Sequence, residues 1–73
     1  MSNSFKDLAF TIIEKAVNDY KLLKNLGVNR IATEHEGVIS KREIERFFHS
    51  TWCDFLLLNM NFTGEDILRY LNR

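Results

Sequence analysis

Between Phe5 and Leu23 apolar side chains return every three or four positions, with no proline or glycine to interrupt them, and that spacing predicts an amphipathic α-helix. Phe5, Leu8, Ala9, Ile12, Ile13, Ala16, Val17, Tyr20 and Leu23 form the apolar stripe, while Asp7, Glu14, Asn18, Lys21 and Asn25 take the opposite side. Ser4 and Asp7 suit a capping box at the start, and Gly27 suits a left-handed cap after Leu26, so the helix should span about 4–26. Phe10 and Val17 widen the stripe along one border and Leu22 and Leu26 along the other, giving an apolar arc of roughly 200° at about 100° per residue. Such a helix is about 34 Å long, against roughly 29 Å for the diameter of a compact globule of this size. Surplus width and surplus length both predict a second chain, most simply a homodimer.

Later helix starts are marked by local chemistry. Ile39, Ser40, Glu43 and Ile44 combine a capping box with a hydrophobic staple, and Phe62, Thr63, Asp66 and Ile67 repeat the arrangement. These signals predict helices over about 40–59 and 63–72. The first can run unbroken through Ile44, Phe47, Phe48, Thr51, Trp52, Phe55 and Leu58, or kink near Ser50, where Ser50, Thr51 and Asp54 offer a fresh cap. Residues 27–39 show no sustained period and read as a connector closed by Gly37, unless the first helix continues through Ile31. The expected fold is therefore all-α: one domain over residues 1–73, a small bundle in which a long N-terminal helix packs on two or three shorter C-terminal helices.

Charge and cysteine content narrow the function classes. Ten basic and ten acidic residues balance to zero, which removes the net attraction to nucleic acid or anionic membrane that a strongly basic chain would show. One cysteine, Cys53, allows no internal disulfide and suits a reducing interior. No segment approaches the roughly 20 apolar residues of a membrane span. The N-terminus has an acid, Asp7, and no basic flank ahead of a cleavable apolar core, so a cytoplasmic location is expected.

Candidate chemistry is sparse. Asn59, Asn61, Thr63 and Gly64 imitate the opening of a calcium loop, but Tyr70 stands where a bidentate glutamate is required, and helix capping accounts for the same residues. His49 and Cys53, four apart, could share a helical face, with His35 or Asp54 completing a zinc set, yet no CxxC or HExxH pattern fixes further ligands. Cys53 with either histidine is the sole conceivable nucleophilic pair, and nothing marks a pocket or an orienting group. No catalytic residue, metal or cofactor is assigned, and the chain reads as a non-enzyme.

Two binding readings remain. Phe47, Phe48, Trp52, Phe55 and Tyr70 concentrate the aromatic content, and most should fill the core; Trp52, at the border of its helix, is the first candidate for partner contact. Phe10, Val17, Leu22 and Leu26 on the surplus borders, with His35 in the connector, complete the expected protein-binding set. The competing reading is a small DNA-binding regulator using the 40–50 helix, in which Lys41, Arg42 and Arg46 would reach phosphate or guanine. Against it stand the interleaved Glu43 and Glu45 and the aromatic character of the segment that follows.

The stretch IERFFHSTWCDFLLL followed by GEDILRYLNR resembles short uncharacterised proteins of phages and prophages of Gram-positive bacteria. The resemblance covers residues 39–73 and rests on Phe47, Phe48, Ser50, Trp52 and the run from Gly64 to Leu71. It carries over no functional residue. It implies a class of role, that of an accessory phage protein acting stoichiometrically in the host cytoplasm, for example as an inhibitor of a host or bacterial defence protein.

Overall fold

The computed structural model describes residues 4–35, 37–58 and 60–73. A long helix, α1 (Ser4–Leu26), is followed by two strands, β1 (Arg30–Thr33) and β2 (Gly37–Ser40), and by three short helices, α2 (Lys41–Phe48), α3 (Thr51–Leu56) and α4 (Gly64–Leu71). The molecule is elongated along α1, with extents of 38 × 28 × 19 Å.

Helix α1 ends because Gly27 takes φ 68°, a left-handed conformation that costs glycine nothing. Its N–H reaches the Lys24 carbonyl at 3.1 Å and the Val28 N–H reaches that of Leu23 at 3.1 Å, the paired bonds of a Schellman ending. The alternative in which the helix continues through Ile31 is thereby excluded. The expected Ser4 cap falls on a side chain outside the described set.

The all-α expectation is corrected here, because residues 30–40 form an antiparallel hairpin and the fold is mixed α and β. Arg30 pairs with Ser40, Ile31 with Ile39, Ala32 with Val38 and Thr33 with Gly37. Ile31 and Ile39 sit opposite each other and pack against the core, whereas Ala32 and Val38 face outward. Gly37 at φ 72° closes the turn, and the Thr33 hydroxyl donates to the Gly37 carbonyl at 2.9 Å. Strands of four residues offer two inward positions each, too few to show a period. The Lys41 N–H donates to the Asn29 carbonyl at 2.8 Å, fastening the base of the hairpin to α2.

The helices begin where polar side chains can take up free amides. Ser40 accepts from the Glu43 amide at 3.1 Å and supplies the forward half of its capping box. Ser50 breaks the 40–59 segment: it accepts from the Cys53 amide at 3.2 Å while its hydroxyl donates to the Phe47 carbonyl at 2.6 Å. One side chain thus closes α2 and opens α3. Thr63 and Asp66 form a complete box at the start of α4. The imitation calcium loop is that box, with Asn59 lying outside the described residues.

Tyr20 and Leu23 of α1, Ile44 and Phe48 of α2, Cys53 of α3, Leu57, and Leu68 and Leu71 of α4 form the buried cluster. Of the five aromatic residues, most of which were expected to fill it with Trp52 set aside for partner contact, Phe48 is buried, Phe47 is half-buried, and Trp52, Phe55 and Tyr70 are exposed. Volume is limited because α4 comes down directly on α2: a Cβ added at Gly64 would lie 2.0 Å from the Phe48 carbonyl oxygen. We expect Gly64→Ala to cost about 3 kcal/mol in urea unfolding, since backbone must move, and Gly27→Ala about 1 kcal/mol, the strain of a left-handed alanine. A Gly64→Ala midpoint equal to wild type would mean that the two helix ends do not touch.

Candidate interaction site

Helix α3 has six residues, so two of its side chains can point inward and two outward on neighbouring turns. Cys53 and Leu56 take the inward positions and are buried. Trp52 and Phe55, also three apart, are thereby turned out. Phe55 meets Phe5 of α1 edge to face, with ring centroids 5.5 Å apart and an interplanar angle of 69°. Trp52 stacks on Phe55 at 5.9 Å and 21°. Phe5, Trp52 and Phe55 are 47%, 49% and 50% exposed, so three touching aromatic rings present their outer halves to water. Sequence reasoning marked Trp52 and missed its two companions. Their signal was available in part, since Phe55 lies one turn from Trp52, but Phe5 joins only through the packing of α1 on α3.

The other expected contact residues divide between separate places. Phe10 and Val17 line an open apolar cleft of about 430 Å³ between α1 and α4, with Ile13, Phe62, Ile67 and Tyr70 as its other walls and Glu14 and Asp66 on its rim. Leu22 and Leu26 are exposed, but they lie at least about 120° around the α1 axis from Phe10, and the two borders do not form one surface. His35 is exposed beyond β1, on the hairpin connection. A single protein-binding face made of all six residues is therefore not what the fold builds.

Lys41, Arg42 and Arg46 are brought together with residues that the sequence could not place beside them. Arg42, Arg46 and His49, one turn apart along α2, line a cleft of about 670 Å³ whose far wall is Arg69 and Glu65 of α4. Glu45 lies between the two arginines, and its carboxylate accepts a 2.7 Å hydrogen bond from the Tyr20 hydroxyl. Tyr20 in turn accepts from the Asn72 amide at 3.1 Å. Burial, followed by the bond to Glu45, pushes the Tyr20 hydroxyl above its ordinary 10.0, so it stays a neutral donor.

Cys53 lies beneath α3 with 0% of its surface exposed, and burial followed by the neighbouring Asp54 charge pushes its thiol up to about 11. His49 is exposed and shares no hydrogen bond with it among the described residues. Among the described residues no three His, Cys, Asp or Glu side chains converge as metal ligands, and no helix is long and apolar enough to cross a membrane.

Comparison with protein-family models, curated proteins and solved structures gives no match to this chain.

The raised Cys53 thiol predicts a pH dependence of definite sign. The fold favours the protonated form, so its contribution is intact below the ordinary value of 9.0 and is lost as pH rises toward about 11. Urea midpoints of the wild type should fall more steeply across that window than those of Cys53→Ala. Parallel slopes would place the thiol in contact with water.

Proposed function

We propose that this chain is a non-enzymatic protein-binding module, acting by stoichiometric contact, and that it pairs with a second copy of itself through the Phe5–Trp52–Phe55 surface. The observation that carries this reading is the run of three half-exposed aromatic rings in contact through Phe55, one pair edge to face and the other stacked, at the meeting of α1 and α3. Aromatic rings that touch at a surface are already ordered, so covering them costs little side-chain entropy, and tryptophan is the residue most often found at the energetic centre of an interface.

Magnitudes set the strength of the association. Three half-exposed aromatic side chains leave roughly 300 Å² of apolar surface per copy, worth about 7 kcal/mol on full burial at about 25 cal/mol per Å². Two copies would then cover roughly 600 Å², half of the roughly 1,200 Å² at the lower end of specific interfaces. Leu8, three residues along α1 from Phe5 and 58% exposed, adds apolar surface on the same side of the helix. Association costs of about 4–15 kcal/mol offset much or all of the roughly 15 kcal/mol from two copies, so the pair is weak and forms only at high concentration. Zero net charge means that no long-range repulsion opposes the encounter of two copies.

The buried, protonated Cys53 supports a role without nucleophilic chemistry. The resemblance of residues 39–73 to phage proteins supports the same class of role, including inhibition of a host or bacterial defence protein by direct binding.

Trp52 is the single tryptophan, which makes it both anchor and reporter. In sedimentation equilibrium from micromolar to millimolar concentration, the wild type should rise from 8.6 kDa toward twice that mass, with its tryptophan emission moving to the blue over the same range. Phe5→Ser combined with Phe55→Ser should hold the chain at the single-copy mass with unchanged far-ultraviolet circular dichroism. A wild type that stays a single copy at millimolar concentration, or a double variant that still pairs, overturns the reading.

A further inference from the structure

The chain has no net charge, yet its charges are sorted by the fold. Three clefts adjoin one another around the C-terminal end of α4. The α2/α4 cleft holds Arg42, Arg46 and Arg69. A second cleft of about 630 Å³ runs from α2 to the hairpin and adds Arg30 and Lys41, sharing Arg42, Glu45 and Asn72 with the first. On the other side of α4, Lys21, Lys24 and Arg73 line a groove against the end of α1. Lys24 joins the two sides, since its ammonium donates to the Leu71 carbonyl at 2.5 Å and lies 3.5 Å from the Asn72 side-chain oxygen. Eight of the ten lysines and arginines therefore line one belt, together with only Glu45 and Glu65 of the ten acids, a local excess of six positive charges.

Local structure explains part of this sorting. Cations near the C-terminal ends of α1 and α4 face negative helix ends, which accounts for Lys24, Arg69 and Arg73. It does not account for Lys41 and Arg42, which sit in the first turn of α2, where the helix end is positive and a cation is unfavourable. Neither they nor Arg30 and Arg46 form an ion pair among the described residues, and Arg69 alone in the belt is offset, by Asp66 at 3.2 Å. Glu45 is engaged by the Tyr20 hydroxyl. Cations held against the local field, outnumbering the acids beside them and without an ion pair among the described residues, mark a place where an external anion completes the electrostatics.

We infer that this belt binds the sugar-phosphate backbone of a single-stranded nucleic acid. A protein partner would need a cluster of apolar anchors at the centre of its footprint, whereas Leu68 and Leu71 beneath the belt are buried and the exposed aromatic ring among its lining residues, Tyr70, stands at one edge. A phosphate backbone needs only cations and donors. The belt bends around the end of α4, a path that a flexible strand can follow and that a stiff duplex cannot. Tyr70, 63% exposed at the edge of the groove holding Lys21 and Lys24, with the Arg73 guanidinium 5.3 Å from its ring centre, supplies a face on which a base can stack. This inference does not depend on the aromatic surface at the other end of α1.

The test is fluorescence anisotropy with the full chain and three labelled probes: an oligothymidylate of roughly 20 nucleotides, a duplex of the same length and a polyglutamate peptide, at about 50 and about 200 mM salt. The oligothymidylate should bind, and should weaken with salt. Arg42→Ala combined with Arg46→Ala, both exposed and unpaired, should weaken binding about tenfold or more and make the log–log salt slope shallower by about 1.4, at about 0.7 for each phosphate that the variant leaves unneutralised. Lys15→Ala, outside the belt, should leave affinity unchanged. No binding by about 100 µM protein at the lower salt overturns the inference. So does equal or tighter binding of the polyglutamate, which would assign the belt to an acidic polypeptide, or tighter binding of the duplex, or an Arg42/Arg46 double variant that binds like wild type.

Discussion

The hydroxyl of Tyr20 is the polar bond around which the rest of the packing is arranged. Tyr20 is 1% exposed, and its ring belongs to the buried cluster while its oxygen reaches a polar spot where α1, α2 and the end of α4 meet. Glu45 accepts from it, Asn72 donates to it, and the Lys41 ammonium lies 5.8 Å from the ring centre. A buried hydroxyl without partners would cost more than most single contacts in a fold this small supply. With partners, it fixes the rotation of α1 and the approach of α4 together. Asn72 closes the circuit, since its amide also donates to the Leu68 carbonyl at 3.0 Å and so caps the helix whose end it anchors.

Once α1 is fixed at that end, its length separates two surfaces of opposite character. Phe5 and Lys24 are nineteen residues apart, about 28 Å along the axis. The first end carries the stacked rings, turned outward because a six-residue α3 has only two inward positions. The other carries the cations gathered around α4, with Tyr20, Glu45 and Asn72 as the floor of their central cleft. A formal charge of zero conceals this division, because most of the acids fall outside the belt. The two proposed contacts, a second copy at one end and a polyanion at the other, are placed too far apart to compete for one surface.

Helix starts were the part of this architecture most open to reading from residues alone. Capping is a contact between neighbours in sequence, so Ser40 with Glu43 and Thr63 with Asp66 announce themselves, as does Gly27 at the end of α1. The hairpin was not legible, because strands of four residues show no period and Ile31 and Ile39 declare themselves inward only once paired. The aromatic residues misled for a related reason: expecting most of them in the core, Phe55 and Tyr70 included, ignores that Gly64 brings α4 within contact of α2 and leaves little volume to fill. Trp52 was recognisable as an anchor, whereas the contact of its neighbour Phe55 with Phe5 spans most of the chain. Lys41, Arg42 and Arg46 were visible as a cluster, but Arg30 and Arg69 join them only through the hairpin and the return of α4.

The central claim is that the Tyr20 hydroxyl and Glu45 are energetically coupled in holding α1, α2 and α4 in one arrangement. A double-mutant cycle in urea with Tyr20→Phe, Glu45→Gln and the pair measures this directly. The account predicts a coupling of about 1.5 kcal/mol, in the range of a hydrogen bond to a charged acceptor. Single-variant losses that add to within about 0.3 kcal/mol would show that the two side chains stabilise the fold independently, and would contradict it.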